Sequence, residues 1–238
     1  MASTVIKNWD NKTWLSSSDY INQFNKFLIR YVKLNSNSKI LDIGCGRGKL
    51  IGSLSSKLKL INKPIGIDII SHRDKDKRIN FKKVDANSFF YLNKKKFDLI
   101  LIKQTIHLIE FNRIKNLLNR MIKSLNPNGK ILILTLDPYK NEIPNFDLMK
   151  INLLKSLKRD KKILSLISKL YPNRVLKKFS YEVKITKKKY INMISKRFMS
   201  TLLSFSSKQI VTGINQINLK YKKDLRFNDK LVCIIIKN

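Results

Sequence analysis

The stretch Lys39 to Leu50, KILDIGCGRGKL, constrains the fold more than any other part of the chain. Only 7 glycines occur in 238 residues, and three of them, Gly44, Gly46 and Gly48, fall within five positions directly after an apolar run. Glycine loses more backbone entropy on folding than any other residue, so the cluster marks a tight bend or a place where a Cβ would obstruct something. Ile40 to Ile43 reads as a short buried strand, and Leu50, Ile51, Leu54 and Leu58 follow on helical spacing. The unit is strand, tight turn, helix.

The pattern repeats downstream. Pro64 to Ile69, Ile79 to Val84, Phe97 to Ile102 and Lys130 to Leu136 read as further strands. An amphipathic helix over Asn112 to Leu125 is stopped by Asn126-Pro127-Asn128-Gly129. Apolar strands alternating with amphipathic helices predict an α/β fold, a Rossmann-like doubly wound sheet that is mostly parallel. The second half predicts a helix over Asp147 to Leu170, a strand over Val175 to Ile185 and a buried last strand over Leu231 to Ile236. A helical insertion at about 186–221 precedes that strand and has the size of a lid or substrate wall.

Composition sets the competing functions. The formal net charge is +34 and invites a polyanion partner, but Lys outnumbers Arg by 40 to 10 and the basic residues run through both halves of the chain. A dedicated nucleic-acid stripe is more concentrated and richer in Arg. Cys45 and Cys233 are too few and too poorly spaced for a zinc site or a disulfide framework, and they read as free thiols with no metal site. The opening residues MASTVIKNWD lack a signal-length apolar stretch, and no later run approaches the roughly 20 residues that span a bilayer. A soluble cytoplasmic protein without a membrane partner is the expectation.

A glycine turn at the carboxyl edge of a parallel sheet binds either a dinucleotide or S-adenosyl-L-methionine. The dinucleotide fingerprint requires a third glycine at position 49, where this chain has Lys49. Asp42 brings a negative charge that suits an ammonium and a sulfonium and suits a pyrophosphate badly. Asp68 and Asp85 add acids at two further strand ends, although as lone aspartates both also suit turns or helix N-caps.

At this point the chain resembles the class I S-adenosylmethionine-dependent methyltransferases. LDIGCGRG is similar to their first motif, GIDII to the second-strand acidic motif and VDA to the adenine-side motif. FDLILIKQTIHLI and LNPNGKILIL are similar to the fourth-strand motif and to the turn and strand that follow. The five blocks occur in the family's order over Ile40 to Leu136. The resemblance implies a single methyltransferase domain over 1–238, with an N-terminal helical cap to 38, a cofactor-binding core over 39–136 and an antiparallel last strand. It also implies roles. Gly44 and Gly46 would let the main chain approach the methionine moiety, with Asp42 near its ammonium. Asp68 would accept from the ribose hydroxyls, Asp85 from the adenine amine, and Ala86 would offer a backbone N–H. Ile69 and Lys103 complete the cofactor-binding set.

The methyl acceptor is less constrained. Lys103 and His107 flank the fourth-strand exit four residues apart. His107 is a candidate general base or a histidine packing a helix start, and Lys103 is an anion hook or a solvated lysine. The segment with Arg197-Phe198-Met199-Ser200 resembles the wall before the last strand in a subset of small-molecule enzymes. That resemblance gives Arg197 as a candidate for holding an anionic group, or else as a surface arginine. Trp9, Trp14 and Tyr20 precede the first strand and are lid aromatics over a sulfonium or packing residues. The [Asn/Asp/Ser]-Pro-Pro-aromatic motif of amine-directed nucleic-acid enzymes does not occur at the fourth-strand exit. A small-molecule substrate, with carboxylate-bearing molecules as one class, is therefore favoured over RNA. The glycine turn is also compatible with a nicotinamide oxidoreductase, and the fold with a non-catalytic interaction protein.

Overall fold

The computed structural model describes residues 13–237. Seven strands form one sheet in the order β3-β2-β1-β4-β5-β7-β6. They are β1 (Ile40–Ile43), β2 (Ile65–Asp68), β3 (Asn80–Lys83), β4 (Phe97–Lys103), β5 (Leu125–Leu136), β6 (Val175–Ile185) and β7 (Leu225–Lys237). β1 to β5 pair in parallel, and β7 runs antiparallel between β5 and β6. The expected α/β doubly wound architecture with an antiparallel last strand is therefore present.

Strand periodicity sorts the core into two layers. Ile40, Leu99, Leu101, Leu132, Leu134, Leu231, Cys233 and Ile235 face one side. They pack with Phe24 and Leu28 of α1 (Ser18–Tyr31) and with Ile51 and Leu54 of α2 (Lys49–Leu58). Leu41, Ile43, Ile100, Ile102, Ile131, Ile133, Ile234 and Ile236 face the other. There they meet Phe89 and Phe90 of α3 (Ala86–Leu92), Leu117 and Met121 of α4 (Ile114–Lys123), and Ile163 and Ile167 of α5 (Asp147–Leu170). Asp42 and Lys103 continue the alternation of the first layer at the carboxyl ends of β1 and β4. The same face thus presents both charges at one edge.

Two elements differ from the sequence expectation. The Asn126-Pro127-Asn128-Gly129 stop ends α4 at Lys123 but lies inside β5, whose register against β4 shifts between Phe97 and Leu99. Asn126 donates to Asp98 at 2.8 Å, and a Cβ on Gly129 would stand 2.7 Å from the Phe97 carbonyl oxygen, so this irregular strand entry needs glycine. The insertion before β7 forms α6 (Lys187–Ser195) and α7 (Ser207–Lys220). Tyr190, Met193, Ile194, Ile210 and Ile217 are buried with Trp14, Phe146 and Phe227, so these helices brace the β7 side of the core.

Candidate active site

The three clustered glycines all adopt left-handed backbone, with φ of 71°, 54° and 72° at Gly44, Gly46 and Gly48. A Cβ on Gly44 would stand 2.2 Å from Thr105 Cγ2 after β4, and one on Gly48 would stand 2.1 Å from Ile79 Cδ1. The turn is stitched to the sheet by the N–H groups of Gly44 and Cys45, which both donate to the Ile67 carbonyl. Arg47 lies fully buried and holds Asp74 at 2.7 Å, which ties the loop after β2 onto the turn.

This turn floors a cavity of about 460 Å³ at the carboxyl edge of the sheet, a size suited to a cofactor-sized ligand. Asp42, Gly44, Gly46, Asp68, Ile69, Asp85, Ala86 and Lys103 all line it. All eight residues expected to contact the cofactor are therefore brought together. Asp42 is almost fully buried, and burial raises its carboxyl pKa to about 7, with Lys103 opposing and Asp68 reinforcing the rise. Asp68 accepts from the Gly46 N–H at 2.9 Å and from the Ile70 N–H at 3.0 Å. Ile69 is 64% exposed beside it, an apolar side chain offered to a ligand face. Asp85 caps α3 by accepting from Asn87 and Ser88, and those bonds, with Ser88 contributing most, hold its pKa below the usual carboxylate value. Asp85 thus acts as a helix N-cap while also lining the cavity.

Lys103 donates to Gln104 Oε1 at 3.0 Å and lies over the rings of Tyr20 and Phe24, at 5.1 and 5.5 Å from their centroids. Tyr20 has no exposed surface, stacks on Phe24 and meets Phe179 and Tyr181 edge-on, so it packs beneath Lys103 and does not line the cavity. Trp14 donates its indole N–H to buried Asp229 on β7 at 2.9 Å and packs edge-on against Phe227. That anchor sets Leu15 and Ser16 on the cavity wall, with Ile21 of α1. Trp9 lies outside the described residues.

Two candidates are placed elsewhere. His107 is not among the lining residues; its Nδ1 lies 3.9 Å from Asp160 on α5. Burial, then the Arg159 charge, lowers its pKa, and burial raises Asp160 to about 6. Both shifts favour neutral forms in an interhelical contact and do not aim a base at the cavity. Arg197 donates twice to the Phe205 carbonyl, at 3.1 and 3.2 Å, and no residue of 186–221 lines the described cavity. The expected helical lid and its anion hook therefore serve the packing of α6 and α7. His72, outside every motif, and Gln104, inside the fourth-strand block but not named among the site residues, are both in the lining.

The methyltransferase domain family matches residues 18–184, more than half of the chain. The chain belongs to the methyltransferase domain family. A curated family relative, the methyltransferase-named protein 235L of Invertebrate iridescent virus 6, is 30% identical over 101 residues, 41% of this chain and 38% of the relative. The match thus spans well under half of that protein's length. The plantazolicin methyltransferase BpumL, solved with a pentazolic desmethylPZN analog and SAH, superposes with a TM-score of 0.53 at 20% identity over 97% of this chain and 88% of its own. N-methyltransferase NodS from Bradyrhizobium japonicum, solved with S-adenosyl-L-homocysteine, gives 0.51 at 13% identity over 96% and 92%. Both share the fold of this family member. Among the described residues no helix is long and apolar enough to cross a membrane, and no cluster of His, Cys, Asp and Glu could hold a metal.

Proposed function

We propose that the protein transfers a methyl group from S-adenosyl-L-methionine to a small-molecule acceptor that presents a carboxylate. The observation that carries the cofactor is the convergence of Asp42, Asp68 and Asp85, from three neighbouring strand ends, on a floor of bare main chain. Such a cavity attracts a cation and can approach it closely where no Cβ intervenes. The SAH bound in BpumL and the S-adenosylhomocysteine bound in NodS, both of this fold, support the same ligand. Asp42 receives the ammonium, Gly44 and Gly46 floor the methionine chain, and Asp68 accepts from the ribose. Ile69 covers one face of the adenine, and Asp85 with the Ala86 N–H meets its edge. Lys103 offers positive charge to the methionine carboxylate.

When bound, the cofactor supplies an electrophilic methyl: the acceptor oxygen bonds to its carbon while the electron pair of the broken C–S bond stays on sulfur. A carboxylate oxygen is already anionic and releases no proton, so the reaction needs no general base. That matches a cavity from which His107 is turned away. Leu15, Ile21, Leu108 and Ile109 form apolar walls that hold the acceptor in line, while Lys49 gives its anion a positive approach.

Metabolite extracts incubated with methyl-labelled cofactor test this reading. The expected product is a labelled small molecule that releases its label as methanol in base, and His107→Ala still forms it. A base-stable product contradicts the carboxylate, and label in bulk RNA contradicts the small-molecule acceptor in favour of the basic surface.

A further inference from the structure

Gln104 is one of four described residues other than glycine with positive φ, at 52°, and it alone among them lines the cavity. A glutamine there is strained where glycine would meet no steric penalty, and such strain persists where the surroundings impose it. The surroundings are visible. The Gln104 N–H donates to the Leu134 carbonyl at 2.8 Å, and Thr105 packs into the space left by the missing Cβ of Gly44. The Thr105 hydroxyl also donates to the Lys103 carbonyl at 3.1 Å. The bend is therefore locked to β5 on one side and to the glycine floor on the other. Nothing in the backbone calls for a long polar side chain at its apex.

The side chain is held in one sense. Lys103 can only donate, so the atom it meets at 3.0 Å is the amide oxygen, and the amide nitrogen keeps two N–H donors. Lys103 is itself laid across the rings of Tyr20 and Phe24. The pair stands on the edge that also carries Asp42, one strand away in the register of β1 against β4. An acid beside a cation-plus-amide pair on one sheet edge, next to bare main chain, matches the two ends of a zwitterionic amino acid.

We infer that Gln104 is a specificity-determining residue whose amide, oriented by Lys103, donates to the carboxylate of the cofactor's methionine moiety. This rests on the cofactor reading above and adds a second donor beside Lys103. The left-handed backbone at Gln104 is what brings that amide to the cavity.

The test compares Gln104→Gly and Gln104→Glu with wild type by calorimetric titration with S-adenosylhomocysteine and with its decarboxylated analogue. Binding of S-adenosylhomocysteine by wild type checks the cofactor reading separately. Gln104→Gly keeps the bend, so its melting temperature rises by about 2–5 °C while S-adenosylhomocysteine affinity falls roughly tenfold and the analogue binds as to wild type. Gln104→Glu loses more, because a carboxylate faces a carboxylate, and again leaves the analogue unaffected. Retention of S-adenosylhomocysteine affinity within twofold by both variants overturns the inference. Equal weakening of both ligands also overturns it, because the loop and not the carboxylate contact would then be responsible.

Discussion

On the β1–β2–β3 side of the cavity, the ligand-facing groups are main chain and short acids at strand ends. Partners within about thirty residues position them: Gly46 with Asp68, Arg47 with Asp74, and Asp85 with its own helix. On the β4–β5–β7 side, position depends on residues far apart in sequence. Trp14 and Asp229, 215 residues apart, anchor the segment that places Leu15 and Ser16, and Tyr20 meets Phe179 and Tyr181 from β6. The first side is a local motif that recognises one ligand; the second is an assembled wall, free to differ in shape for different acceptors.

Breaking the first side has the largest effects. Gly44→Val combines a left-handed backbone with a Cβ 2.2 Å from Thr105, and chemical denaturation is expected to show a loss of about 2–5 kcal/mol together with loss of cofactor binding. Asp68→Ala removes the acceptor of the Gly46 and Ile70 N–H groups as well as the proposed ribose contact. Its affinity for S-adenosylhomocysteine is expected to fall by about 1.5–3 kcal/mol, roughly 10- to 150-fold in a titration.

Asp42 sharpens the comparison through pH. Its carboxyl, raised to about 7 by burial, must ionise to receive an ammonium, so binding releases a proton below that value. Affinity is expected to weaken about tenfold from pH 8 to pH 6 in wild type and to stay flat in Asp42→Asn. Stability runs the other way. A carboxyl whose folded pKa lies above its unfolded value contributes most below the unfolded value of 3.8, and that contribution is lost as pH rises to about 7. Asp42→Asn is therefore more thermostable than wild type near pH 8, and the difference disappears below about pH 4.

The second side gives smaller and different effects. Trp14→Phe leaves buried Asp229 without its indole donor and is expected to cost about 1–3 kcal/mol in denaturation while S-adenosylhomocysteine affinity stays within twofold. Arg197→Ala loses two bonds to one carbonyl and is expected to cost about 1 kcal/mol with unchanged cofactor affinity.

The same contrast explains what could be read from the sequence. The glycine turn, the acids at strand ends and the alternation of strands with helices follow from local patterns, because strand and helix periodicity act within a dozen residues. Asp147–Leu170 and Val175–Ile185 emerge with the boundaries that periodicity predicts. His107 does not, because its direction is set by Asp160 on a helix more than fifty residues later. Arg197 likewise points where the α6–α7 connection bends, with its own φ at 54°. Gln104 carried a weak signal, a polar residue between the strand and Thr105, but its left-handed backbone depends on Gly44 and Leu134. His72 is buried in the cavity wall because Arg47 pulls its loop inward through Asp74, a pairing no spacing announces.

Calorimetric titration of the full chain with S-adenosylhomocysteine, with NAD as the comparison ligand, tests the central claim most directly. An acid-lined cavity floored by bare main chain predicts saturable one-to-one binding of S-adenosylhomocysteine, weakened by Asp68→Ala, and no binding of NAD. Binding of NAD in its place, or equal S-adenosylhomocysteine affinity in wild type and Asp68→Ala, would contradict it.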